Sequence, residues 1–316
     1  MSNTISIAGE YRIVAHDADG NVTFDSGNQR NIILNAGIDL LGGPSSADMM
    51  SYCLIGSGKT VPNAMQEELE DYVAVHSSVA DGESHYNYDD GDALYKVGRS
   101  KQYTFTDLNN VQISELGLAA SFTSEQSYEL CTRALIKDAN GNPTTLTVLT
   151  GGTLNVFYTL WAVFNTADVS GKVNILDNGG NRTAYDYTLR LANVGQIDYL
   201  NSVGMGFSSS GTSIQHGAYS DDIAAITSSP SVPVYNDSGE LIQEAYVPGS
   251  GVMSVAWNIP IGVAVGDLRT FSLTTTRGIW QIRFGSELDD SPITKTDTQA
   301  LIIPIQITWK QYTGSI

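Results

Sequence analysis

Gly56-Ser57-Gly58-Lys59-Thr60 is the stretch of this chain whose residue types come nearest to a phosphate-binding loop. In such a loop, glycines let backbone N–H groups curl round an anion, a lysine reaches the outer phosphates and a hydroxyl holds magnesium. The motif needs a glycine five positions before the second one here, and Cys53 stands there. It also needs a helix to follow, and Val61-Pro62-Asn63 follows instead. The stretch therefore reads as a turn after an apolar strand spanning Met50 to Ile55.

Calcium chemistry is suggested by Asp17, Asp19 and Asn21 around Gly20, but the glycine is misplaced for an EF-hand loop and no closing glutamate follows. A hairpin turn accounts for them. Asp89, Asp90 and Asp92 could bind calcium with backbone carbonyls, and read more simply as a solvated acidic loop. His16, His76, His85 and His216 are scattered, without the close His or Cys/His spacing of a zinc site. No serine sits in a Gly-x-Ser-x-Gly elbow, and Asp289-Asp290 ahead of Ser291-Pro292 reads as a turn. Tyr86, Tyr88 and Tyr95, set among aspartates, are the candidate glycan-contact residues. No catalytic residue, metal ligand or cofactor is expected.

Composition narrows the partners. The chain has 316 residues, a formal net charge of −18 and a sequence pI near 4.3. Nucleic-acid binding needs a basic stripe that displaces phosphate counterions, so that class is excluded, as is docking on anionic lipid. Cys53 and Cys131 lie in apolar strand-like runs and are expected as buried free thiols. The N-terminal residues lack the features of a secretory signal, and no apolar run approaches a membrane span, so no membrane insertion is expected and synthesis is expected in the cytoplasm.

The elements that must position these residues read as strands. Tyr11–Ala15 and Val22–Phe24 flank an Asp-Gly turn, and residues 31–41 form the best helix candidate, stopped by Gly42-Gly43-Pro44. Residues 57–95 read as polar loop; Tyr95 to Phe164 is nearly continuous β; 172–250 is poorly legible; and 252–316 resumes β character. Pro304 within the last strand predicts an edge or bulge. One pattern occurs twice. Ile113–Leu118, Arg133, Pro143 and an apolar run from Leu154 to Trp161 are echoed by Leu268–Leu273, Arg283, Pro292 and a run from Leu301 to Trp309. Arg-to-Pro is ten residues and then nine, and Pro-to-Trp eighteen and then seventeen. Trp161 and Trp309 are both expected in the core. The fold expected is mostly β: two related antiparallel β-sandwich or jelly-roll-like units, residues 1–168 and 169–316, with one or two short helices.

Several stretches resemble tailed-bacteriophage virion structural proteins of the tail, collar, baseplate or fibre-adaptor type. They are Asn31–Leu41 followed by a strand and Ile55–Pro62, then Ile113–Leu118 with Arg133–Asp138 and Gly141–Thr145, then Ile293–Trp309. The resemblance covers roughly residues 10–165 and 250–312 and brings no catalytic residues with it. It implies a non-enzymatic virion protein that self-assembles as a homo-oligomer and docks neighbouring virion proteins or fibres. The alternative it leaves open is a receptor-binding fibre module that recognises host surface polysaccharide.

Overall fold

The computed structural model describes residues 2–42, 48–77, 80–89, 93–194, 215–237, 241–275 and 278–315. The protein is mostly β, with one helix among the described residues. Strands β1 (Ser2–His16), β2 (Val22–Asp25) and β3 (Gln29–Ile33) precede the helix α1 (Asn35–Gly42). Then come β4 (Tyr52–Gly56), β5 (Tyr72–Ser77), β6 (Ala80–Asp89), β7 (Leu94–Phe105), β8 (Val111–Ile113), β9 (Glu115–Ser124), β10 (Ser127–Leu130), β11 (Thr132–Leu135), β12 (Leu146–Val148) and β13 (Thr153–Asn165). The second half holds β14 (Val169–Asp177), β15 (Arg182–Ala192), β16 (Gln215–Tyr219), β17 (Pro233–Asp237), β18 (Leu241–Gln243), β19 (Val252–Ile259), β20 (Gly266–Leu268), β21 (Thr270–Thr275), β22 (Gly278–Ser286), β23 (Ile293–Lys295) and β24 (Leu301–Gln311).

Local sequence explains the strands and their turns. Side chains alternate between faces along a strand, and β19 and β24 bury every second residue accordingly. Asp17–Asn21, Asp138–Asn142 and Asp177–Asn181 form one repeated turn, in which the Asp N–H donates to the Asn carbonyl at 2.9, 2.9 and 3.0 Å. Each turn has a glycine with φ near +80°, a conformation that costs other residues a steric clash (Gly20 +86°, Gly141 +84°, Gly180 +78°). The hairpin reading of Asp17–Asn21 thus holds.

The strand pairings of the first half recur in the second, in the same chain order. The ladders β1–β13, β1–β3, β3–β11, β11–β9, β9–β4, β4–β5, β6–β7, β7–β13 and β8–β12 are matched by β14–β24, β14–β15, β15–β22, β22–β21, β21–β16, β16–β17, β18–β19, β19–β24 and β20–β23. In the first half, Tyr103 and Tyr158 on β7 and β13 share a buried cluster with Cys53 and Leu118 on β4 and β9. Hydroxyls of buried tyrosines reach across to other elements: Tyr103 donates to the Met50 carbonyl at 2.6 Å, and Tyr11 of β1 to the Leu135 carbonyl at 2.7 Å. Cys53 and Cys131 are buried free thiols, and burial raises the pKa of both.

β1 belongs to both halves. Its residues Ile5–His16 pair antiparallel with β13, while Ser2–Ile7 pair parallel with Gln306–Gln311 of β24. The strands therefore run in the order β6–β7–β13–β1–β24–β19–β18, with the equivalent strands β13 and β24 antiparallel to each other on either side of β1. Pro304 falls where β24 changes partner on that side. Pairing with β14 ends at Ile302, pairing with β1 begins at Gln306, and the missing proline N–H leaves no gap in either ladder.

Several sequence expectations need correction. The helix begins at Asn35, not 31, because Asn31–Ile33 are claimed by β1 and β11 as strand β3. Residues 57–95 contain β5, β6 and the start of β7, whose polar residues disguise them as loop. The two halves also align differently from the sequence match. Ile136 donates to the Ser114 carbonyl as Phe284 does to that of Arg269, so Arg133 of the first half corresponds to Gln281 of the second, and Arg283 to Leu135. Trp309 is buried on the face of Leu301, but Trp161 lies on the face opposite Leu154 and is only half-buried, because odd and even separations along a strand fall on opposite faces.

Candidate functional site

Gly56–Thr60 opens the connection between β4 and β5, and its amides do bind anions, but the anions are the protein's own carboxylates. Glu115 Oε1 accepts from the N–H of Gly58 at 3.1 Å and of Asp71 at 2.9 Å, and Oε2 accepts from Glu70 at 3.3 Å. The Glu70 carboxylate accepts from the N–H of Lys59 at 2.6 Å and of Thr60 at 2.7 Å. These hydrogen bonds to Thr60 and Lys59 hold the Glu70 pKa below its usual value. A Cβ at Gly58 would collide with the Glu115 carboxylate and with Glu70, so the glycine permits the close approach. The turn reading is right, and the donors a phosphate would use are satisfied.

Glu115 is held in turn by Arg133. Both side chains are fully buried, and Arg133 Nε and Nη2 each lie 2.7 Å from Glu115 Oε2. The remaining guanidinium donors reach Gln66 Oε1 at 2.9 Å, the Thr60 carbonyl at 3.2 Å and Thr60 Oγ1 at 3.3 Å. The connection is pinned elsewhere by Asn35 N–H on the Ala64 carbonyl at 2.7 Å, and by Leu69 N–H on the Tyr128 hydroxyl at 2.9 Å. Leu69 thereby covers a small apolar cluster with Leu34, Leu54, Ala119 and Leu130 on the outer side of the β5–β4–β9–β10 sheet.

Beside Leu69 a row of half-buried rings continues across that face. Phe122 lies 6.1 Å from Tyr52, 6.0 Å from Tyr72 and 6.1 Å from Tyr128 between ring centres. Burial raises the pKa of Tyr72 and Tyr128. A cleft of about 700 Å³ runs between the Met65–Glu70 segment and Gln126 and Tyr128, with Glu67, Glu68 and Glu70 on its wall. A smaller cleft of about 360 Å³ joins Lys59 and Ser114 to Pro143–Thr145. The motif residues Ser114 and Pro143–Thr145 thus meet in space. Glu115 and Arg133 show themselves in sequence only as charges inside apolar strands, and the aromatic row gives no sequence signal because its members come from four separate strands.

Tyr95 is fully buried against Phe164, 6.1 Å between ring centres, so it presents nothing to a glycan. Its backbone pairs with Tyr88, and Tyr86 pairs with Val97, but the side chains of Tyr86 and Tyr88 lie outside the described residues, as do Asp90 and Asp92. Among the described residues, no group of three or more His, Cys, Asp or Glu could hold a metal ion. No described helix is long and apolar enough to cross a membrane. Asp289-Asp290 forms a turn in which Asp290 accepts from Arg283 at 2.8 and 2.5 Å.

Comparisons with protein-family models, with curated proteins and with solved structures find no match to this chain.

Proposed function

We propose that this chain is a non-enzymatic structural protein of a tailed-bacteriophage virion. It is made in the host cytoplasm and built into the tail, collar or baseplate region. Residues 1–168 and 169–316 serve as its two building units, and the protein self-associates and docks neighbouring virion proteins or fibres. The observation that carries this reading is β1, which joins two copies of one β-unit into a continuous sheet by main-chain hydrogen bonds to β13 and β24. Main-chain pairing is also how separate chains add to a sheet edge. The outermost strands β6 and β18 each have one partner among the described residues, leaving edges for a further chain. The order of the motifs along the chain, with its likeness to virion proteins, supplies the biological setting. Net charge of −18 suits a subunit that stays soluble until it meets its partners.

Mass spectrometry of purified particles tests the location, and the protein is expected among their stoichiometric components. Its absence from intact particles would overturn the reading. Light scattering of the purified protein tests self-association, for which a discrete ring or trimer is expected.

A further inference from the structure

We propose that the aromatic row of Tyr52, Tyr72, Phe122 and Tyr128, with the cleft beside it, is the docking surface for an extended arginine- or lysine-bearing segment of a partner protein. This rests on the docking part of the reading above and not on the location in a virion.

Three observations converge on this occupant. The rings are half-buried on an outer sheet face, where they pack against the small apolar cluster of Leu34, Leu54, Leu69, Ala119 and Leu130. Four half-buried rings side by side leave a contiguous strip of aromatic surface in reach of a partner, and such a strip marks an interaction surface. The cleft runs alongside the row and is roomy enough for side chains of a partner, at about 700 Å³. Its wall then selects the partner's charge. Glu67 and Glu68 are exposed and make no ion pair among the described residues, and no Lys or Arg lines the cleft. Arg133, which bonds Thr60 and Gln66 of the lining, is fully buried and is consumed by Glu115, with Glu70 at 3.8 Å. Glu125 and Glu129 stand exposed on the hairpin that carries Tyr128. A guanidinium or ammonium group meets carboxylates and ring faces together, and both attract it. An anionic polysaccharide would be repelled, and a neutral one would gain nothing from the charge.

The test is fluorescence anisotropy of labelled oligo-arginine, oligo-glutamate and neutral oligosaccharide probes with the full chain. Oligo-arginine is expected to bind, more weakly as salt rises. Glu67→Gln with Glu68→Gln should weaken it about tenfold, the factor two exposed ion pairs supply together. Glu244→Gln with Asp297→Asn removes the same charge from exposed positions in the second half and should leave binding unchanged. Phe122→Leu, which keeps an apolar side chain, should weaken the peptide as well. Equal weakening by both carboxylate pairs would reduce the effect to bulk acidity and overturn the proposal. So would no binding of oligo-arginine, or salt-independent binding of the neutral oligosaccharide lost in Phe122→Leu. None of these outcomes bears on whether the protein is found in particles, so the two proposals fail separately.

Discussion

Arg133 places Nε and Nη2 each 2.7 Å from Glu115 Oε2, with both side chains fully buried. A buried ion pair seldom adds net stability, because desolvation offsets the attraction. This one gives a connection without regular structure a set of fixed partners. At the equivalent ladder position of the second half stands Gln281, also fully buried. Its Oε1 accepts from Ala224 N–H at 2.7 Å, and its Nε2 donates to the Ala224 carbonyl at 3.0 Å. An amide is donor and acceptor at once, so without a charged partner it ties Ala224 of the β16–β17 connection on both sides, with longer contacts to the Leu191 and Ala225 carbonyls at 3.4 and 3.5 Å. The ion pair instead engages Gly58, Thr60, Gln66, Glu70 and Asp71, and so shapes the whole β4–β5 connection.

Arg133→Met should therefore cost about 3–5 kcal/mol, since it strands the Glu115 carboxylate in the interior. Gln281→Leu should cost less, about 1–3 kcal/mol, because it leaves neutral backbone groups of Ala224 unsatisfied and strands no charge. Urea denaturation measures both. Amide exchange should quicken at Gly58 and Asp71 in the first variant only. An unchanged urea midpoint for Arg133→Met would sink the argument.

Acid should weaken the fold through Asp25. Its carboxyl is held down to about 2, first by the side-chain hydrogen bonds from Arg12 at 2.9 and 2.5 Å and then by Gly27 N–H. A carboxylate with a lowered folded pKa stabilises above its unfolded value, near 3.9, and that contribution is lost as pH falls towards about 2. Asp17, Asp138 and Asp177 are lowered in the same direction by their repeated turns. The urea midpoint should therefore drop across that window, and Asp25→Asn should flatten part of the drop. The Arg12–Asp25 pair is largely exposed, so its share is small.

What the sequence makes legible is what depends on neighbours along the chain. The Asp-x-x-Gly-Asn turns, the alternating strands β19 and β24 and the burial of Cys53 and Cys131 all follow from local residue types. The repeat is legible too, but its alignment is not. Arg133 and Arg283 look equivalent in sequence, yet Arg133 is fully buried against Glu115, while Arg283 is partly exposed on β22 and reaches out to Asp222 and the Asp290 turn. Only the ladder register, a long-range property, separates them. The surface of Tyr52, Tyr72, Phe122 and Tyr128 is hidden for the same reason, since each ring comes from a different strand. The burial of Tyr95 is hidden likewise, because its acidic neighbours in sequence say nothing of the apolar face its strand presents to Phe164.

Gly37→Ala tests how tightly α1 is seated. Alanine in place of glycine inside a helix ordinarily stabilises by about 1 kcal/mol. Here a Cβ would press on the Cys131 carbonyl oxygen, which already accepts from Leu34 N–H at 2.9 Å. The obstacle is backbone and has no rotamer to yield, so a net loss of about 1–3 kcal/mol is expected. A raised melting temperature would show that α1 can move away from Cys131.

Tyr246 ties the helix of the first half to the second. Its hydroxyl donates to Asp39 Oδ1 at 2.6 Å, and its ring stacks on Trp309 at 5.5 Å. Trp309 in turn donates from Nε1 to the Ile38 carbonyl at 2.8 Å. Burial, followed by the hydrogen bond to Asp39, pushes the Tyr246 pKa up to about 12. A raised folded pKa gives stability that is complete below the unfolded value, about 10, and is lost as pH climbs towards about 12. Tyr246→Phe should remove that alkaline dependence and cost about 1 kcal/mol at neutral pH, because the bond is partly solvated. The variant should still unfold in one transition, since the β1 ladder to β24 remains. Two separate transitions in calorimetry would mean that the Asp39–Tyr246 contact, and not β1, makes the halves cooperative, and would remove the main support for reading β1 as the joining strand.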